Sequence, residues 1–119
     1  MIRTALVVDD SMLIRHTICR WLEERGFAVQ SACNGAEALQ MLAGKHPDLI
    51  ITDIQMPAMS GDELITELKG NPHTAAIPIL VLSAKGTRSA AGRGVEATIF
   101  KDIDILAQLE RAVTELLPA

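Results

Sequence analysis

Three short runs of uninterrupted apolar residues, each closed by polar side chains, constrain this chain more than anything else in it. Ala5-Leu6-Val7-Val8 ends in Asp9 and Asp10, Leu49-Ile50-Ile51 leads through Thr52 to Asp53, and Ile79-Leu80-Val81-Leu82 ends in Ser83. A strand with one wet face alternates apolar and polar residues. A run without alternation marks a strand covered on both faces, as in parallel sheets. Parallel neighbours need long crossover connections, and helices are the usual solution.

The stretches between the runs supply those helices. Residues 12–25 place Ile14, Ile18, Trp21 and Leu22 at helical intervals, and Gly26 is a natural stop. Residues 27–31 read as a second strand, more polar than the others and therefore expected at an edge of the sheet. Asn34 followed by Glu37 opens a second helix that runs to Gly44. Ser60 followed by Glu63 opens a third, through Lys69, which buries Leu64, Ile65 and Leu68. Ala97-Thr98-Ile99-Phe100 is the fifth strand. A last helix starts near Asp102 and aligns Leu106, Leu109, Val113 and Leu116 on one face.

This alternation predicts an α/β fold: a doubly wound sandwich with a central five-stranded parallel sheet and helices on both faces. Right-handed crossovers bring every strand C-terminus to one rim, where open α/β sheets bind their ligands. Asp9, Asp10, Asp53, Ser83 and Lys101 all fall on that rim. One connection breaks the rhythm. Between Ser83 and Lys101 the chain has three glycines and almost no large apolar side chains, so the helix there is expected to be short or irregular.

At 119 residues the chain makes one domain, spanning residues 1–119, and 49% hydrophobic content is enough for one core. A net charge of -4 argues against a nucleic-acid surface. The N-terminal apolar run is too short for a signal peptide or a membrane span. Cys19 and Cys33 have neither metal-ligand spacing nor a CxxC arrangement, so both are expected as free thiols in a cytoplasmic protein.

Three carboxylates gathered at one rim repel each other unless a cation holds them. Asp10 and Asp53 are hard oxygen ligands suited to Mg²⁺, Asp9 orients a metal-bound water, and the backbone carbonyl of Gln55 completes the protein's share. Asp53 is then a nucleophile toward a phosphoryl donor. Charge in the transition state spreads over the equatorial oxygens, where the Lys101 cation and the Ser83 hydroxyl are placed to receive it. Taken singly, each of these residues has a plain reading: a strand-end acid or hydroxyl that caps a helix, or a solvated lysine. Their coincidence at successive strand ends is what points to chemistry.

As a set these residues resemble the receiver domain of two-component response regulators, in the chemotaxis-type single-domain form. The resemblance covers essentially the whole chain: an acidic pair after strand one, D-x-x-M-P-x-M-x-G from Asp53 to Gly61, Ser83 after strand four and Lys101 after strand five. It implies a flavodoxin-like (βα)5 fold with strand order 2-1-3-4-5. Asp53 would be the phosphoacceptor, with Asp9 and Asp10 the metal-holding pair, Ser83 the phosphoryl-sensing hydroxyl and Lys101 the partner lysine. It also implies a phosphohistidine donor on a sensor histidine kinase or phosphotransfer protein, a downstream protein target, and no role as a conventional enzyme.

Three departures fall on the surface that such domains use to signal. Asp102 follows the lysine where the family usually has proline, and its charge is expected to cap the last helix or to draw Lys101 away from the phosphoryl group. Thr98 stands where an aromatic residue usually reports phosphorylation. The segment from Ser83 to Lys101 is about one helical turn shorter than usual for a receiver, and its 86–94 part is expected to be mobile and to order on phosphorylation or partner binding. Gln55 and Lys85 are positioned to tune the lifetime of the phosphoryl group.

The last helix ends at Leu117-Pro118-Ala119, which suggests a chain without an attached output domain. The competing reading is a pseudo-receiver, a protein-binding module independent of phosphorylation. Other chemistries fit less well. An aspartyl-phosphate phosphatase of the haloacid dehalogenase group wants a second Asp where Gln55 stands. A flavin site lacks its phosphate-binding loop, and no G-x-x-x-x-G-K-[ST] loop is present.

Overall fold

A computed structural model describes residues 2–44, 46–56, 59–83, 95–101 and 104–117. Along the chain these form β1 (Thr4–Val8), α1 (Met12–Glu24), β2 (Ala28–Ala32), α2 (Gly35–Leu42), β3 (Leu49–Asp53), α3 (Gly61–Gly70), β4 (Ile79–Ser83), β5 (Ala97–Phe100) and α4 (Ile105–Leu116). The five strands make one parallel sheet in the order β2-β1-β3-β4-β5. This is the doubly wound, flavodoxin-like arrangement expected from the sequence. The connection between β4 and β5 for which a short or irregular helix was expected, with Lys85 and the 86–94 segment, lies outside the described residues.

Strand alternation sorts the core into two layers. Val7, Ile51, Leu80, Leu82 and Ile99 point to one face and pack beneath Ile18, Trp21 and Leu22 of α1 and Leu109, Ala112 and Val113 of α4. Leu6, Val8, Ile50, Ile79 and Val81 point to the other, beneath Ala38 and Leu42 of α2 and Leu64, Ile65 and Leu68 of α3. β1, β3 and β4 are buried almost throughout, whereas β2 at the edge alternates exposed and half-buried residues. The apolar runs and the more polar second strand therefore mean what their patterns suggest.

Local signals set the helix ends. Ser11 Oγ accepts from the Ile14 amide, and Asn34 Oδ1 from the Glu37 amide at 2.8 Å. Ser60 and Glu63 form a complete capping box. Gly26 takes φ of 89° after α1, a left-handed turn that favours glycine. The last helix differs from expectation. It starts at Ile105, with Asp104 as its cap accepting from the Ala107 amide at 3.1 Å. Two aspartates two residues apart both suit a cap, and the one nearer the apolar stripe took the role; Asp102 lies outside the described residues. The buried stripe shifts accordingly to Leu109, Ala112 and Val113, and Leu106 is exposed.

Candidate functional site

Register places the acids. Val8 pairs with Thr52, so the next residues, Asp9 and Asp53, leave adjacent strands side by side. Both continue the side-chain parity of Val7 and Ile51, as Lys101 continues that of Ile99, so the three lean toward the α1–α4 side of the sheet. One carboxylate oxygen from each of Asp9, Asp10 and Asp53 lies within 4.8 Å of the others. Asp9 is fully buried and Asp53 nearly so, while Asp10 is exposed.

Each buried acid is held by one oxygen and offers the other. Asp9 Oδ1 accepts from the Ser11 amide at 2.8 Å, and Asp53 Oδ1 accepts from its neighbour Ile54 at 2.8 Å. The Lys101 ammonium lies 3.0 Å from Asp53 Oδ2 and 3.1 Å from Asp9 Oδ2. The lysine ammonium thus rests on the two acids; Asp102, expected to draw it away from a phosphoryl group, lies outside the described residues. Beyond this ion contact with Lys101, the buried Asp9 Oδ2 has no hydrogen-bond donor among the described residues.

The electrostatics follow. Burial pushes the Asp9 carboxyl above the usual carboxylate range; the Asp53 charge adds to this, and the Ser11 amide and Lys101 only partly offset it. Burial works against the Lys101 charge, but Asp53 and Asp9 outweigh it and hold the ammonium above its ordinary value. Two unit charges at such separations repel by about 4 kcal/mol at an effective dielectric constant near 20. Among the described residues one lysine faces three carboxylates, an excess of two negative charges when all are ionised. That charge, an all-oxygen donor set and the buried Asp9 Oδ2 fit a small divalent cation such as Mg²⁺.

The start of α3 lies directly against the backbone of Asp53 and Ile54. The Gly61 amide donates to the Ile54 carbonyl at 2.7 Å, and a Cβ on Gly61 would lie 2.0 Å from the Asp53 carbonyl oxygen. The last glycine of the D-x-x-M-P-x-M-x-G run is thus what lets α3 start directly against the acid's own backbone. Gln55 is exposed, two residues past Asp53.

The chain matches the family model of the response regulator receiver domain across residues 5–113. The chain belongs to that family. The receiver is 38% identical over 92 residues to response regulator MprA of Mycobacterium tuberculosis, an alignment covering 77% of this chain and 39% of that protein. It thus spans about two fifths of the length of the curated relatives it matches. Among solved structures it resembles the chemotaxis response regulator CheY4 of Vibrio cholerae, with 26% identity and TM-score 0.85 over 98% of this chain and all of that one. A receiver protein from Pseudomonas putida gives 28% identity and TM-score 0.84 over 97% and 98% of the two chains.

The remaining expected residues take defined places in the receiver. Ser83 is buried at the end of β4, one residue beyond the Leu82 that pairs with Asp53, and its carbonyl accepts the Lys101 amide at 2.9 Å. Thr98 is half-buried on β5, paired with Val81. Cys19 and Cys33 are free, and burial raises the Cys19 thiol. No helix among the described residues is long and apolar enough to cross a membrane.

Two residues escaped the sequence reading. Arg15, one turn into α1, donates from Nη1 to the Asp9 carbonyl at 2.7 Å and so fixes the backbone of the buried acid. Gln108 grips the backbone next to Lys101 from α4. Both act on main chain from a different element, and such contacts leave no periodic mark in a sequence.

Proposed function

We propose that Asp53 is the phosphoacceptor of a two-component system, and that its phosphorylation changes the protein's contacts with a downstream target. The observation that carries this reading is the pairing of a nearly buried Asp53 with Lys101 inside the three-acid cluster. One Asp53 oxygen is anchored by the Ile54 amide and the other faces the lysine. A group so held is oriented for attack before the donor arrives.

The donor is the phosphohistidine of a sensor histidine kinase or phosphotransfer protein. An Asp53 carboxylate oxygen forms the new bond to phosphorus, the P–N bond breaks, and the imidazole leaves with the electron pair. Asp9, Asp10, Asp53 and the Gln55 carbonyl would hold Mg²⁺, which supplies charge neutralisation for the phosphoryl oxygens. Lys101 pairs with a second phosphoryl oxygen, exchanging a carboxylate contact for a phosphoryl one, and Ser83 offers its hydroxyl to another. Arg15 keeps the Asp9 backbone in place while these charges rearrange.

The test is intact-mass measurement after incubation with a small phosphodonor such as acetyl phosphate, with and without Mg²⁺. The reading predicts a Mg²⁺-dependent gain of one phosphoryl group by wild type and none by Asp53→Ala. A folded wild type that gains nothing would favour the phosphorylation-independent binding module instead.

A further inference from the structure

Lys101 follows β5, and β5 is an edge strand with β4 as its partner in the sheet. The Lys101 amide points inward to Ser83. In a parallel ladder the backbone groups of successive residues point to opposite sides, so the N–H and C=O of Phe100 point away from β4. In a central strand a neighbour would hold them. At an edge they face water or another chain.

Here a side chain holds them. Gln108 Oε1 accepts from the Phe100 amide at 2.9 Å, and Gln108 Nε2 donates to the Phe100 carbonyl at 2.9 Å. The same nitrogen reaches the Asp104 carbonyl at 3.2 Å, and the Gln108 backbone amide also donates to that carbonyl, at 3.2 Å. The carboxamide thus stands in for one residue of a missing strand and ties the end of β5 to the cap of α4. Its orientation is set by its partners: Oε1 faces an N–H and Nε2 faces two carbonyls. A carboxylate lacks the donor and an aliphatic chain lacks both groups.

We propose that Gln108 is the positioning residue for Lys101, fixing the backbone from which the ammonium reaches Asp9 and Asp53. The inference rests on the phosphoacceptor reading for its effect on rate, but not for its geometry. The acids leave β1 and β3 in the middle of the sheet, where strands on both sides hold the backbone and Arg15 adds a single bond at the Asp9 carbonyl. Lys101 leaves an edge, and the sequence there carries Asp102 in place of the ring that proline would supply. Without the clamp the Phe100 peptide groups turn to solvent and the lysine loses its fixed base.

Two readouts test this. The first is the rate at which a small amine reagent labels Lys101, followed by peptide mass spectrometry in metal-free protein. The second is the rate of phosphoryl incorporation from acetyl phosphate at saturating Mg²⁺. In Gln108→Ala, Lys101 labelling should speed up severalfold while other lysines keep their rates. Phosphoryl incorporation should fall about tenfold or more, the scale on which misplacement of a reacting group acts.

In a Lys101→Met background the Gln108→Ala change should have no further effect on incorporation, since the residue it positions is gone. Gln108→Glu, which keeps the side-chain volume, should reproduce Gln108→Ala and serves if the alanine variant does not fold. Unchanged Lys101 labelling in a folded variant would overturn the proposal. So would a loss of rate that persists in Lys101→Met, which would mark Gln108 as merely structural. If wild type takes up no phosphoryl group, the phosphoacceptor reading fails alone, and the labelling result still decides the position of Lys101.

Discussion

The acids and the lysine of this site are built by different means. Asp9 and Asp53 extend central strands, are held by amides within two residues of themselves, and stand on backbone locked by neighbours on both sides. Lys101 extends an edge strand and depends on a serine carbonyl one strand away and a glutamine one turn into the last helix. The difference teaches that a rim site on a parallel sheet inherits its rigidity from strand position. Central positions rest mainly on register, with Arg15 adding one bond at the Asp9 carbonyl, whereas at the edge position a side chain holds both outward backbone groups of Phe100.

The largest effect that would sharpen this contrast is at the centre. Asp53→Asn should abolish phosphoryl incorporation while leaving the fold intact, because the amide occupies the same volume and can still accept from Ile54. Circular dichroism and intact mass together check it. Lys101→Ala should slow incorporation by roughly 10²–10³-fold, the cost of removing one charge-stabilising donor. Yet the same change should tighten Mg²⁺ binding, since a cation that competes for Asp9 and Asp53 has gone. Titration calorimetry showing weaker Mg²⁺ binding would contradict the account of the lysine as a removable counter-charge.

Gly61→Ala tests the packing behind Asp53. A Cβ lying 2.0 Å from the Asp53 carbonyl oxygen must push α3 or the strand end aside. Denaturant unfolding should show a loss of about 1–3 kcal/mol, the usual cost of overpacking. No comparable backbone obstacle guards the lysine, so Lys101→Ala should lose less stability than Gly61→Ala. Equal losses would break the proposed contrast.

The smallest effect concerns pH. Burial raises the Asp9 carboxyl above its ordinary value of 3.8, so ionised Asp9 opposes folding of the metal-free protein. The penalty is full above the raised value, shrinks as pH falls through it, and vanishes only below 3.8, where the wild-type group is protonated in both states. Asp9→Asn should therefore raise the melting temperature of metal-free protein near neutral pH by a few degrees, lose that advantage in acid, and forfeit stabilisation by Mg²⁺. A lower melting temperature at neutral pH would show that the Lys101 contact outweighs desolvation.

How much of this was legible in the sequence follows the same division. The apolar runs announced the central strands, and the polar residues closing them announced Asp9, Asp53 and Ser83. The capping pairs Asn34–Glu37 and Ser60–Glu63 gave the starts of α2 and α3. Lys101 was read from its place just after the fifth strand, a weaker signal than the long apolar runs that precede the acids. The start of α4 was misread because Asp102 and Asp104 offer the same capping chemistry, and Leu106 was misread with it. Gln108 was invisible: a carboxamide bonding to backbone eight residues away has no periodicity and no motif.

The most direct test of the central claim is to locate the phosphoryl group. Protein treated with acetyl phosphate and Mg²⁺ would be reduced with borohydride, which converts an aspartyl phosphate to homoserine, and then mapped by peptide mass spectrometry. The account predicts homoserine at position 53 alone, and none when Mg²⁺ is withheld. Homoserine at position 9 or 10, or none in folded protein with Mg²⁺ present, would contradict it.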